Sequence, residues 1–248
     1  MSGIAACLTQ VQNRIAGAAK QAGRDPQSIR LVAVSKRQPV AAIREAYAAG
    51  QRDFGENYVQ ELALKAQQLA DLPDLRIHMI GHLQRNKAKQ VALAASIVHT
   101  IDSPELAQEL AKRAVDCPVP SARRLHIAGA DLNGRLPVLV EVNVGGEAQK
   151  SGCEPESLPK ILDTIEACPS LQLVGLMTVP PFTDEAADSQ PYFEQLVAQR
   201  ERHGGAKRLP ELSMGMTLDL EYAIAAGATL VRVGTAIFGE RLKREVPA

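Results

Sequence analysis

The sequence predicts an α/β fold, a single closed (β/α)8 TIM-type barrel preceded by an N-terminal helix. Three observations lead there. The chain has 248 residues, close to the roughly 250 typical of one such barrel. Its hydrophobic content of 46% is enough for a large core. Eight short strand-like segments alternate with helix-like ones, the pattern of a parallel sheet with helices outside. An open doubly wound sheet is the alternative architecture, but it usually has fewer strands.

Residues Met1–Arg24 interleave polar and apolar side chains and read as an amphipathic helix, not a signal peptide. Residues 1–28 are thus the helix and lead-in. Strands are predicted at Ile29–Val34, Asp53–Glu56, Arg76–Ile80, Ile97–Ile101, Val138–Val144, Leu171–Thr178, Leu212–Gly215 and Leu230–Gly234. Each is short, apolar and mostly rich in β-branched residues. Val40–Ala49, Val59–Leu69, Arg85–Ala94, Pro104–Ala114 and Pro191–Arg200 carry good helix formers at helical spacing. Residues 117–136 mix Pro, Ser, Arg, Gly and Asn and predict a long surface loop, on the side of the barrel away from the expected active face. Val179–Gln190 follows a strand on that face and reads as a candidate lid. No linker divides the chain, so residues 1–248 read as one domain.

Composition excludes several functions. Twenty-eight basic and 28 acidic residues cancel, which leaves no global footprint for nucleic acid or an anionic membrane. No apolar run reaches the length of a membrane span. Cys7, Cys117, Cys153 and Cys168 form no CxxC pair and have no spaced histidine pair nearby. Zinc is therefore not expected, and free thiols in a reducing cytoplasm are. Aromatics are few, so the core is aliphatic.

The chemistry gathers at predicted strand ends. Lys36 directly follows the first strand, LVAVS. A lysine there is either simply solvated or, when burial and neighbouring cations lower its pKa, a nucleophile toward carbonyls. The seventh and eighth strands end in ELSMGMT and RVGTAIFG, where barrels often hold phosphate. Ser213, Gly215 and Thr217 in one, with Gly234 and Thr235 in the other, supply bare backbone and hydroxyls for an anion. Closure would bring Arg232 beside the Lys36 strand. A Schiff-base lysine, an arginine and a phosphate cradle match what pyridoxal 5′-phosphate requires, with the arginine keeping the ring nitrogen unprotonated. The alternative for Arg232 is an ion pair inside the barrel with Glu56. Asn57, His82, Gln84, Asn86, Lys87, Asn143 and Lys150 share the rim and read first as turn or cap residues. His82 has no partner carboxylate visible in the sequence.

These segments, VAVSK, FGENYVQE, IGHLQRNK, EVNV…KSG, GLMTV, SMGMT and RVGTAIFG, run from about Leu31 to Arg241. Together they resemble the pyridoxal phosphate homeostasis proteins, whose fold is similar to the N-terminal domain of alanine racemase. The resemblance implies that Lys36 carries the cofactor as an internal aldimine. It implies that Ser213, Met216, Gly234 and Thr235 hold the phosphate, that Arg232 faces the ring nitrogen, and that Asn57 lines the pocket. Thr217 stands where many members have serine and keeps the hydroxyl. Residues 117–136 look longer than in typical members.

Three functions follow as expectations. The leading one is a cytoplasmic, monomeric carrier that buffers or delivers pyridoxal phosphate, with pyridoxal phosphate-dependent apoenzymes as recipients. The second is an amino-acid racemase or related enzyme; the family resemblance argues against it, because alanine racemase takes its second acid/base from a further domain for which this chain shows no sequence. The third is a class I aldolase-type barrel in which Lys36 attacks a sugar phosphate.

Overall fold

The computed structural model describes residues 3–115, 132–147 and 149–239. Eight parallel strands close into a ring in sequence order, with β8 hydrogen-bonded back to β1. They are β1 (Arg30–Val34), β2 (Asp53–Glu56), β3 (Arg76–Met79), β4 (Ile97–Ile101), β5 (Leu136–Glu141), β6 (Leu171–Met177), β7 (Glu211–Ser213) and β8 (Leu230–Val233). All eight predicted strands are present, and the open-sheet alternative is excluded by the β1–β8 ladder.

Helices wrap the ring: α1 (Ile4–Gln21), α2 (Val40–Ala48), α3 (Val59–Gln68), α4 (Ala88–Ala94), α5 (Pro104–Ala114), α6 (Leu158–Glu166), α7 (Gln190–Arg202), α8 (Gly205–Arg208), α9 (Leu220–Ala226) and α10 (Thr235–Phe238). Predicted helix 85–94 divides into a 3-10 turn, Arg85–Lys87, and α4, because Lys87 (φ −102°, ψ −3°) leaves helical geometry. The first helix buries Leu8, Val11, Ile15, Ala18 and Ala19, a stripe at helical spacing. That stripe packs against α2, α9 and α10, so α1 covers the seam where β1 meets β8.

Side-chain alternation divides the core in two. Leu31, Ala33, Phe54, Ile77, Met79, Val98, Val138, Val140, Leu212, Val231 and Val233 face the helix layer. Val32, Ile97, Leu139, Val174, Met177 and Leu230 fill the ring. The inward phase also carries buried polar residues, namely Asp53, His78, His99, Glu141, Glu211, Ser213 and Arg232.

Fifth-strand boundaries shift from the predicted Val138–Val144 to Leu136–Glu141. Pro137 is accepted near the strand start, and Val142 leaves the ring to bridge Cys153. Of the predicted loop, residues 117–131 lie outside the described residues, and β5 already begins at Leu136. Cys7, Cys153 and Cys168 are free thiols, while Cys117 lies outside the described residues. Among the described residues no helix is long and apolar enough to cross a membrane, and no cluster of three or more potential metal ligands occurs.

Candidate functional site

The register places the expected site residues at one mouth of the ring. Val32 pairs with Arg232 and Ala33 with Val233, so β1 delivers Lys36 beside the turn that ends β8. Ser35 turns its hydroxyl outward, 2.6 Å from Glu56 Oε1; alternation then gives Lys36 the inward phase, half-buried. Both neighbours of Lys36 are anchored. Ser35 O accepts from buried Lys65 Nζ at 2.7 Å, and the Arg37 N–H donates to Glu61 Oε2 at 2.7 Å. Lys65 also contacts Glu56 Oε1 (2.8 Å) and Glu61 Oε2 (3.0 Å). The strand end carrying Lys36 is thereby tied to β2 and α3.

This arrangement corrects the alternative for Arg232. Glu56 is outward-phase and pairs with Lys65, so it cannot meet an arginine inside the ring. Arg232 is 4% exposed and donates from Nη1 to Ser213 Oγ (2.7 Å) and from Nη2 to Thr178 O (2.9 Å). Burial pushes its pKa down to about 10, opposed by the charges of Glu141 and Asp219. It stays protonated near neutral pH.

The expected cradle is assembled differently from its sequence reading. Ser213 is fully buried, and its hydroxyl already joins Arg232 (2.7 Å) and His99 (2.9 Å). Met216 is 37% exposed, yet its N–H donates to Asp219 Oδ1 at 2.6 Å, not into the mouth. The turn between them depends on Gly215 at φ +89°, where a Cβ would sit 2.5 Å from Ala223 Cβ. Thr217 is half-buried, and its carbonyl accepts from Arg14 Nη2 (3.0 Å) of α1, which also grips Glu221. Gly234 and Thr235 open α10, where the first N–H groups of a helix lack intrahelical partners. Thr235, Met216 and Thr217 line a cavity of about 590 Å³ together with Lys150 and the Val179–Thr183 segment, so the predicted lid forms one wall.

Other rim residues fall as follows. His82 does have a carboxylate neighbour, since Asp102 Oδ2 lies 3.5 Å from its Nδ1; the two are brought together by adjacent strand ends and are far apart in sequence. Asn143 Nδ2 donates to Glu147 O (3.0 Å) and Lys150 Nζ to Pro180 O (3.0 Å), both fastening loops. Glu141, missed in the sequence reading, is 6% exposed, and burial pushes its carboxyl up to about 7, opposed by Arg232 and reinforced by Asp102.

Two features fit the cofactor that the sequence suggests. Asn57 has a buried Oδ1 with no hydrogen-bond partner, an acceptor left unsatisfied by the protein itself. At Gly234 a Cβ would lie 3.2 Å from Val34 O, so the missing side chain lets the β8 turn close on β1 and leaves bare backbone beside the Lys36 strand end.

Comparison with known proteins agrees. The family model described as alanine racemase, N-terminal domain, matches residues 7–242. A pyridoxal phosphate homeostasis protein from Pseudomonas aeruginosa is 46% identical over 242 residues, covering 97% of each chain. PipY of Synechococcus elongatus, solved without PLP, is 37% identical with a TM-score of 0.79, covering 95% of this chain and all of that one. Its structure with PLP bound is 36% identical at a TM-score of 0.76, with the same coverage. Because both the domain match and the strong identity run along nearly the entire chain, this protein belongs to the family of pyridoxal phosphate homeostasis proteins, built on the alanine racemase N-terminal domain.

Proposed function

We propose that this protein binds pyridoxal 5′-phosphate through Lys36 and serves to store and deliver it without turnover. The observation that carries this is the juxtaposition across the β1–β8 seam of an inward-phase lysine, a buried arginine and a bare-backbone turn. The relative solved with PLP bound supports the same reading. When bound, the cofactor supplies an aldehyde, a pyridine nitrogen and a phosphate. Lys36 provides the amine for the first, held in place by the anchors at Ser35 and Arg37. Gly234 and Thr235 offer backbone N–H groups and a hydroxyl to the phosphate, with the Gly215–Thr217 turn as the facing wall. Asn57, just past the end of β2, keeps a buried amide oxygen without a protein partner.

Arg232 decides between carrier and enzyme. A guanidinium has donors only, so facing it the ring nitrogen stays unprotonated, and an unprotonated ring withdraws electrons poorly. That favours holding the cofactor over racemising an amino acid on it. The names of the relatives point the same way.

The test is spectroscopic and chemical. Purified protein loaded with the cofactor should show a visible band that borohydride fixes onto Lys36, located by peptide mass analysis. Lys36→Ala should lose that adduct and keep the fold. Pyridoxal without its phosphate should bind orders of magnitude more weakly, since each charge-assisted hydrogen bond contributes roughly 1.5–3 kcal/mol. The loaded protein should restore activity to a pyridoxal phosphate-dependent apoenzyme. Fixation chiefly on another lysine overturns the site, and sustained Lys36-dependent racemisation of free amino acids overturns the carrier role.

A further inference from the structure

Five buried side chains form an unbroken hydrogen-bonded chain through the interior of the ring. Arg232 Nη1 lies 2.7 Å from Ser213 Oγ, which lies 2.9 Å from His99 Nδ1. His99 Nε2 lies 3.0 Å from His78 Nδ1, and His78 Nε2 lies 2.9 Å from Asp53 Oδ1. The residues come from β8, β7, β4, β3 and β2, and none is more than 5% exposed. The chain begins near the mouth, at Arg232, and ends at the opposite face, where Asp53 opens β2 and receives Arg76 in two 2.7 Å contacts.

The ends of the chain dictate its polarity. Arginine only donates and a carboxylate only accepts. Asp53 therefore takes the proton of His78 Nε2. A neutral His78 then accepts at Nδ1 from His99 Nε2–H, and His99 accepts at Nδ1 from the Ser213 hydroxyl. Ser213 in turn accepts from Arg232. Every link is satisfied, with both imidazoles neutral and both protonated at Nε2. The competing order makes His78 a cation and reverses the middle links. It would strand the Ser213 proton and place a third positive charge beside Arg30 and Arg76, both of which face His78. Burial holds both histidines below their ordinary pKa, helped by Arg30 and Arg76 at His78 and by Arg232 and Arg30 at His99.

Arg232 is the end that matters for function. Among the described residues no carboxylate lies within ion-pair distance of it. Its two contacts are neutral oxygens, one in β7 and one just past the end of β6, and together they fix the plane of the guanidinium. Aligned hydrogen bonds polarise one another in a low-dielectric interior. The chain turns its electron-rich end to Arg232 and is anchored on the Asp53 carboxylate.

We propose that His99, His78 and Asp53 are positioning residues for the cofactor site, acting through Ser213 to hold Arg232 in one orientation toward the cofactor ring nitrogen. The inference rests on the pyridoxal phosphate reading for its last step only; the order of the chain is a property of the protein alone.

Two experiments test the two parts. In cofactor-free protein, ¹⁵N-labelled at its five histidines, long-range proton–nitrogen spectra should show His78 and His99 as neutral Nε2–H tautomers that do not titrate across neutral pH. Loss of one signal set in His99→Phe makes the assignment. An imidazolium at His78, or an Nδ1–H tautomer at either residue, overturns the chain. In protein loaded with pyridoxal phosphate, His99→Phe should shift the cofactor's absorption band and weaken its Kd roughly tenfold, the equivalent of one hydrogen bond. A histidine with a structural role only would change the melting temperature and leave the band in place. An unchanged band and Kd in folded His99→Phe overturns the positioning role. Should that variant not fold, Ser213→Ala, which cuts the same chain at its hydroxyl, is read by the same band and the same criterion. A wild-type protein that takes up no pyridoxal phosphate refutes the proposed function while leaving the tautomer result intact.

Discussion

Replacing Glu141 with glutamine isolates the electrostatic cost of a carboxyl inside the ring. Its Oε2 is buried without a hydrogen-bond partner, and burial raises its pKa from the ordinary 4.5 to about 7. The folded protein thus holds this proton more tightly than the unfolded chain. The contribution to stability is present in full below pH about 4.3 and drains away as pH rises through about 7. A rise of that size corresponds to about 3 kcal/mol. Glutamine mimics the protonated form and does not titrate. Glu141→Gln should therefore match the wild type at about pH 4 and exceed it by about 3 kcal/mol at about pH 8.5. In a chain of this length that is roughly 6–12 °C in Tm. Scanning calorimetry of cofactor-free protein at both pH values is the assay. Melting temperatures that run parallel across the range would refute the claim that Glu141 resists ionisation.

Two further predictions concern the supports of the site. Lys65→Met leaves Glu56, 1% exposed, without its cation; it should cost about 3–5 kcal/mol by denaturant titration, and adding Glu56→Met should recover much of this, whereas additive losses would show the pair is uncoupled. Gly215→Ala forces a Cβ into the left-handed region 2.5 Å from Ala223 Cβ; it should cost about 2–4 kcal/mol and weaken pyridoxal phosphate binding, and a variant as stable as the wild type would contradict the strained turn.

The parts of the molecule legible in the sequence were those with local signals. Each strand is a short apolar run between helix-forming stretches, and Lys36 stands where such a run stops. What the sequence concealed depends on phase and on distant pairing. The histidines in RIHM and IVHTI look like isolated polar residues in strands. Only closure puts both inside the ring, with His99 opposite Ser213 from a strand 114 residues away. Glu56 reads as a partner for Arg232 until alternation sends it outward to Lys65. Ser213 and Met216 sit in a Gly-Ser-Thr turn that reads as an anion cradle, yet His99 and Asp219 engage them first. Pro137 lies inside the fifth strand, which starts two residues before its predicted bound.

The candidate site straddles the seam of the ring. Lys36 follows the first strand, Arg232 lies in the last and Gly234 just after it, and Arg14 of the opening helix grips the loop at Thr217, 203 residues further on. The site therefore does not exist in any fragment of the chain. It is completed only when the final strand docks on the first, the strand pairing of greatest sequence separation, and such non-local pairings are intrinsically slow to form. A ligand held from both sides of that seam acts as a clasp on the closed ring, stabilising it by RT ln(1 + [L]/Kd). Newly made chains would then acquire ligand at the last step of folding, and a loaded ring would resist opening at the one joint that no covalent connection secures.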